Sequence, residues 1–182
     1  MQNLFMKTVS ITALALVAGI TLGGGYGMAQ TATETPSSLT ETYGDWVVRC
    51  VSPAAVEGQP APARICEMTQ ELQQQNTGQR VLAVSLQKAE TTTRLTVVAP
   101  FGLLLSEGVK VSVADKELVS ASFRTCLPAG CIAVSDLDVT AVDTLAAGDQ
   151  AVVEMTDTNT QPVKVNLSLK GFIAAWNRLT AL

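Results

Sequence analysis

The stretch Val163-Lys164-Val165-Asn166-Leu167-Ser168-Leu169-Lys170 alternates apolar and polar residues without a break. Only an extended chain sends successive side chains to opposite faces, so a segment of this kind buries one face as a β-strand. Val109-Lys110-Val111-Ser112-Val113 repeats the pattern, and rougher versions cover 44–51, 65–72, 80–87, 93–99, 118–125, 131–135 and 150–156. Turn chemistry separates them: Pro60-Ala61-Pro62, Asn76-Thr77-Gly78, Pro100-Phe101-Gly102, Ala114-Asp115-Lys116 and Gly148-Asp149. Eight or nine short strands joined by hairpin-length links predict an all-β chain folded as an antiparallel sandwich.

Two segments leave the period of two. Residues 138–147, closed by Gly148, predict one or two helical turns with a glycine stop. Residues 171–182 place Phe172, Trp176 and Leu179 at helical spacing with Ile173 alongside, and turn Asn177 and Arg178 to water. A short C-terminal helix laid over an open end or edge of the sandwich is the expected result, and covering an edge also suppresses aggregation.

Four cysteines, Cys50, Cys66, Cys126 and Cys131, stand in a chain with no histidine. Four thiols allow three pairings, of which spacing favours Cys50 with Cys66 and Cys126 with Cys131. In the chain-entropy account the first closure stabilises by about 3 kcal/mol and the tighter second by about 2 kcal/mol. Neither pair has the C-x-x-C spacing of a redox or zinc motif, and no histidine can complete a mixed zinc site. A four-thiolate zinc site stays formally open but suits an exported chain poorly, so two structural disulfides are expected, with no metal and no cofactor.

Export is read from the N-terminus. Lys7 is the only charged residue before Glu34, and an apolar run over 9–20 follows it. Gly27 and Ala29 fit the small-x-small rule for a cut before Gln30, so residues 1–29 read as a signal peptide. The apolar run falls short of the roughly 20 residues of a spanning helix, so no integral membrane span is expected after cleavage. Residues 30–42, opening with Thr, Ser, Pro and Glu, read as a flexible lead-in to one domain over 43–182. Without Lys7, eleven basic residues face 16 acidic ones, a mature net charge of about −5. A mildly acidic chain with no basic cluster is a poor partner for nucleic acid or anionic lipid.

Several motifs resemble one family. Gly44-Asp45-Trp46-Val47-Val48-Arg49-Cys50 and Arg64-Ile65-Cys66-Glu67-Met68-Thr69-Gln70 are similar to the opening of the invasion associated locus B family. The likeness continues through the segment 99–108, the loop Cys126-Leu127-Pro128-Ala129-Gly130-Cys131 and the closing Leu169-Lys170-Gly171-Phe172, with a longer Pro/Ala insert between Cys50 and Cys66. The resemblance implies a secreted or periplasmic β-sandwich of immunoglobulin-like type from a Gram-negative bacterium. The family is named for a link to host-cell invasion, and no catalytic residues are attached to it.

Trp46 beside Cys50 reads as a core aromatic packed near a disulfide. Asp45 suits a strand-entry turn. Asp136, Asp138 and Asp143 have the composition of a cation loop without its spacing, and read as a solvated turn. Phe101, Leu103, Leu104 and Leu105 are the candidate partner-binding residues, because three successive leucines cannot all face inward from one strand. Either that segment is buried on both sides or part of it forms an exposed patch.

No Gly-x-Ser-x-Gly nucleophile motif or phosphate loop occurs, and no catalytic residue is assigned. The expected function is that of a non-catalytic interaction protein of the bacterial envelope, binding an unknown protein or envelope component. The alternative is a carboxylate-based periplasmic hydrolase or enzyme inhibitor, which requires two acids converging in a cleft about 5 to 10 Å apart.

Overall fold

The computed structural model describes residues 38–54, 58–60 and 62–182. The proposed signal peptide and most of the lead-in lie outside the described residues. Eleven strands run in chain order: β1 Ser38–Tyr43, β2 Trp46–Val51, β3 Ile65–Gln73, β4 Arg80–Lys88, β5 Thr93–Ala99, β6 Val109–Val113, β7 Lys116–Ala121, β8 Phe123–Leu127, β9 Gly130–Leu137, β10 Gln150–Thr156 and β11 Pro162–Ser168. A 3-10 turn, Leu105–Glu107, follows β5, while helix α1 (Val139–Ala147) follows β9 and helix α2 (Phe172–Thr180) follows β11.

The strands form two antiparallel sheets, one of seven in the order β1-β2-β3-β4-β5-β9-β8 and one of four in the order β11-β10-β6-β7. The alternation is realised directly. In β5 the pattern is buried at Thr93, Leu95, Val97 and Ala99, and in β6 at Val109, Val111 and Val113. Trp46, Val48, Met68, Leu82, Val97 and Val153 are fully buried between the layers. The interior gap beside them is about 10 Å³, at the lower limit for one water molecule. Among the described residues the space between the sheets is filled by side chains.

Several strand bounds differ by a residue or two from the sequence reading, and two differences change the topology. Residues 38–42, assigned to the lead-in, form most of β1, paired to β2 from Ser38↔Val51 to Tyr43↔Trp46. The strand is polar because only alternate residues, Leu39, Glu41 and Tyr43, turn to the protein and the others face water. The single strand expected over 118–125 is two strands. The chain leaves the smaller sheet after Ala121 and enters the larger at Phe123, with Ser122 as the corner. Ala114 and Asp115 both have positive φ, the two-residue hairpin geometry that matches strand twist between β6 and β7.

The two ends of the described chain interlock. Gly44, between β1 and β2, and Gly171, before α2, have φ of 59° and 86°. A Cβ at Gly171 would be driven into the Tyr43 carbonyl, and one at Gly44 into that of Lys170. Across this contact Asp45 N–H donates to the Lys170 carbonyl at 3.1 Å, and the Ser168 hydroxyl donates to Asp45 Oδ2 at 2.6 Å. The Trp46 ring meets Phe172 edge-on, with centroids 5.2 Å apart and planes at 88°, a favoured aromatic geometry.

Gln70, turned inward from β3, sutures the two sheets. Its amide donates to the Ser168 carbonyl at 2.9 Å and accepts from Ser168 N–H at 3.1 Å, imitating a strand partner. Trp46 Nε1 donates to the same carbonyl at 3.0 Å. These bonds satisfy buried polar groups that would otherwise each cost about 1–3 kcal/mol.

Helix α2 buries Phe172, Ala175 and Leu179 and leaves Ile173 exposed. Arg178 does not simply face water. Its Nε and Nη2 donate to the Glu41 carboxylate at 2.6 and 3.1 Å, clamping α2 to β1. Asp138 caps α1, accepting from Ala141 N–H at 2.8 Å, while Asp136 pairs with Arg94 at 3.7 Å. The three aspartates read as a solvated turn are thus a helix cap, a surface ion pair and, at Asp143, an exposed position on α1.

Candidate functional site

Both disulfides lie within the larger sheet and neither joins the two layers. Cys50 and Cys66 are directly opposed on β2 and β3, and their sulfurs are bonded. Cys126 and Cys131 are likewise opposed and bonded on β8 and β9. The strand directions put the first at the end of the sheet that holds the β4–β5 hairpin. The second lies at the other end, beside the β3–β4 turn and the exit of β5.

That second end carries the candidate residues. The turn after β5 presents Pro100 and Phe101, the β8–β9 hairpin presents Pro128, Ala129 and Gly130, and β4 begins with Arg80. Together with Gln79 they line a cleft of about 340 Å³. Arg80 Nη2 donates to the Ala129 carbonyl and Nη1 lies 3.7 Å from Glu71, so the guanidinium props one wall against another. Phe101 is 62% exposed at the rim.

The four candidates divide. Phe101 and Leu105 are exposed, while Leu103 and Leu104 are half-buried. The division has a backbone cause: Leu103 bridges to Asp157, and Leu104 N–H donates to the Thr156 carbonyl at 2.9 Å. The segment therefore docks its middle on the end of β10 and leaves its two ends outward.

A second cleft, about 170 Å³, lies at the opposite end between the β4–β5 hairpin, α1 and Trp176. Glu90 and Asp143 line it, both exposed. Among the described residues the buried polar side chains are Gln70 and Thr93, neither of them an acid. Among the same residues no cluster of three metal-ligating side chains occurs, and no helix is long and apolar enough to cross a membrane.

Gln70 is the functional-looking residue that sequence reasoning passed over. Its signal was present: a glutamine at an inward position of a strand whose neighbouring inward residue is Met68. Its work is structural, as the suture to Ser168 shows.

Comparison with known proteins accords with this architecture. The family model described as Invasion associated locus B (IalB) protein matches residues 46–180. An "Invasion protein B homolog" of Brucella abortus (strain 2308) is 38% identical over 148 residues, 80% of this chain and 82% of that protein. The "Invasion protein B" of Bartonella bacilliformis is 34% identical over 187 residues, 99% of this chain and 96% of that protein. The crystal structure of invasion associated protein b from Bartonella henselae superposes with a TM-score of 0.67 at 32% identity. It covers 79% of this chain and 95% of that one. With the matched span running from Trp46 on β2 to Thr180 at the end of α2, the chain belongs to the invasion associated locus B family.

Proposed function

We propose that this protein is an exported, non-catalytic interaction module of the bacterial envelope, and that the Phe101 cleft is its partner surface. One observation carries the reading. A large aromatic stands 62% exposed at the mouth of a 340 Å³ cleft that no carboxylate lines, in a sandwich whose interior is closed. Exposed aromatics beside a pocket are typical anchors of protein interfaces. The hydrolase alternative needs a pair of acids in a shared, partly desolvated site. The acids in the second cleft are exposed instead.

Export accords with two disulfides, which persist in oxidising compartments. A cut before Gln30 and a periplasmic or secreted location remain part of the proposal. A role at the host-cell surface would follow the relatives' names, which speak of invasion.

The test is site-specific photo-crosslinking of the mature protein in cells, with the photoreactive group at Phe101 or, as control, at Thr40 on β1. A discrete adduct from Phe101 alone is expected. Identical adducts from both positions, or none from either, would overturn the reading. Amino-terminal sequencing of the same material checks the cut before Gln30; an intact Met1 would refute it.

A further inference from the structure

The edges of the two sheets are not equally protected. Strand β1 is covered by α2 through the Arg178–Glu41 clamp. Strand β11 opens with Pro162, carries Lys164 and ends at the sutured Ser168. Strand β7 carries Lys116 and Glu117 and lies over β9. Proline, lysine and covering elements are the usual means of keeping an edge from pairing with another chain.

Strand β8 is short and carries a register shift and Arg124, but among the described residues no element covers it. The smaller sheet ends over β9, so β8 overhangs, and every residue from Arg124 to Leu127 is exposed. Its register shift lies between Phe123 and Thr125, leaving Thr125, Cys126 and Leu127 in regular pairing. Cys126 faces Cys131 with Cα atoms 3.9 Å apart, the close spacing of a non-hydrogen-bonded pair. In such a pair the amide groups point away from the partner strand, so those of Cys126 face the open edge.

The edge leads into the cleft. Leu127 runs directly into Pro128, Ala129 and Gly130, which form its wall opposite Phe101. The charge is local and of one sign. No acidic residue occurs in β8, in the turn after it or in the cleft lining, although the whole chain is net acidic. Among the described residues Arg124 has no acidic partner within ion-pairing distance, whereas Arg80 is held by Glu71.

We infer that the open edge of β8 receives an extended peptide segment by strand addition, with a carboxylate opposite Arg124 and an apolar side chain seated against Phe101. Main-chain bonds to a free edge supply affinity in this mode, and pockets for alternate side chains supply specificity. The inference rests on the reading of the Phe101 cleft as a partner surface and adds the partner's chemistry to it.

Fluorescence anisotropy on the mature chain tests it. The probe is a short labelled peptide of alternating Val and Thr with a central Leu flanked by Glu. Saturable binding is expected with a Kd on the order of micromolar to hundreds of micromolar, and about tenfold weaker binding when Lys replaces Glu. Arg124→Glu should reverse that preference, Phe101→Ser should weaken both peptides, and methylation of alternate peptide amides should abolish binding. Binding that survives amide methylation, a charge preference unmoved by Arg124→Glu, or no binding at millimolar peptide each overturn strand addition. If crosslinks at Phe101 persist in that event, the partner surface stands and only this mode of occupancy falls.

Discussion

Cys50–Cys66 and Cys126–Cys131 share one geometry, directly opposed residues on neighbouring strands, in very different surroundings. Cys50 is 1% exposed in a row with Trp46 and Val48, on the side of the sheet where α2 packs. Cys126 is exposed on a strand whose one substantial neighbour is β9. The first bond closes a Pro-rich loop at the margin of a region already held by burial, aromatic packing and a glycine contact. The second fastens a strand with almost no buried surface of its own, so the covalent link replaces the hydrophobic layer that β8 lacks. The same chemistry thus supports a global fold in one place and a local surface in the other.

Breaking the well-buried side should have the largest effect. Trp46→Ala removes a fully buried ring, its edge-on contact with Phe172 and its bond to Ser168. A loss of about 3–5 kcal/mol is expected in denaturant unfolding. A loss below about 1 kcal/mol would show that the interlock of the two chain ends is ornamental.

Next comes removal of each disulfide as a pair. Cys50→Ala with Cys66→Ala should cost about 3 kcal/mol and shift the whole transition together. Cys126→Ala with Cys131→Ala should cost at most about 2 kcal/mol, with the loss localised. Hydrogen exchange should then quicken in β8 while β2 to β5 stay protected. Equal global shifts from both pairs would erase the distinction drawn between them.

Phe101→Ser should sit near the bottom of the range. The side chain is 62% exposed, so stability should change by no more than about 0.5 kcal/mol while peptide binding falls. A change of several kcal/mol would return Phe101 to the core.

The smallest effect is a pH dependence. The Arg178 guanidinium holds the Glu41 carboxyl below the ordinary glutamate range, partial burial opposes this, and the Tyr43 hydroxyl adds to the lowering. A lowered folded-state value stabilises above the ordinary glutamate pKa, and that contribution is lost as pH falls through the lowered value. Glu41→Gln should therefore lower stability slightly at neutral pH, leave it unchanged below the lowered value, and so flatten the acid limb of the profile. An unaltered acid limb would mean that the clamp to β1 carries no net weight.

Most of the strands were legible because alternation is a local property. Residues 93–99, 109–113 and 150–156 were read with the bounds the structure gives them. The misses share a long-range cause. Ser122 turns the chain from one sheet to the other with no Pro or Gly to mark it, because the corner is set by which sheet has a vacant edge. Strand β1 looked like a polar tail, since its own alternation is weakly apolar and the clamp on Glu41 comes from Arg178, 137 residues away. At the candidate site the three leucines announced a conflict of faces but not its resolution, which depends on Thr156 and Asp157 of the smaller sheet. The cleft itself was illegible, because it exists only where the β3–β4 and β8–β9 hairpin ends meet the exit of β5.

The contact between Gly44 and Gly171 has a temporal side. A chain that emerges amino end first, from a ribosome or a translocation channel, presents Tyr43 and Trp46 more than a hundred residues before their partners Gly171 and Phe172 arrive. Contacts of such sequence separation form late, because a long loop must be closed before they return any stabilisation. The contact of Tyr43 and Trp46 with Gly171 and Phe172 therefore closes only after the hairpins between them have had the chance to form.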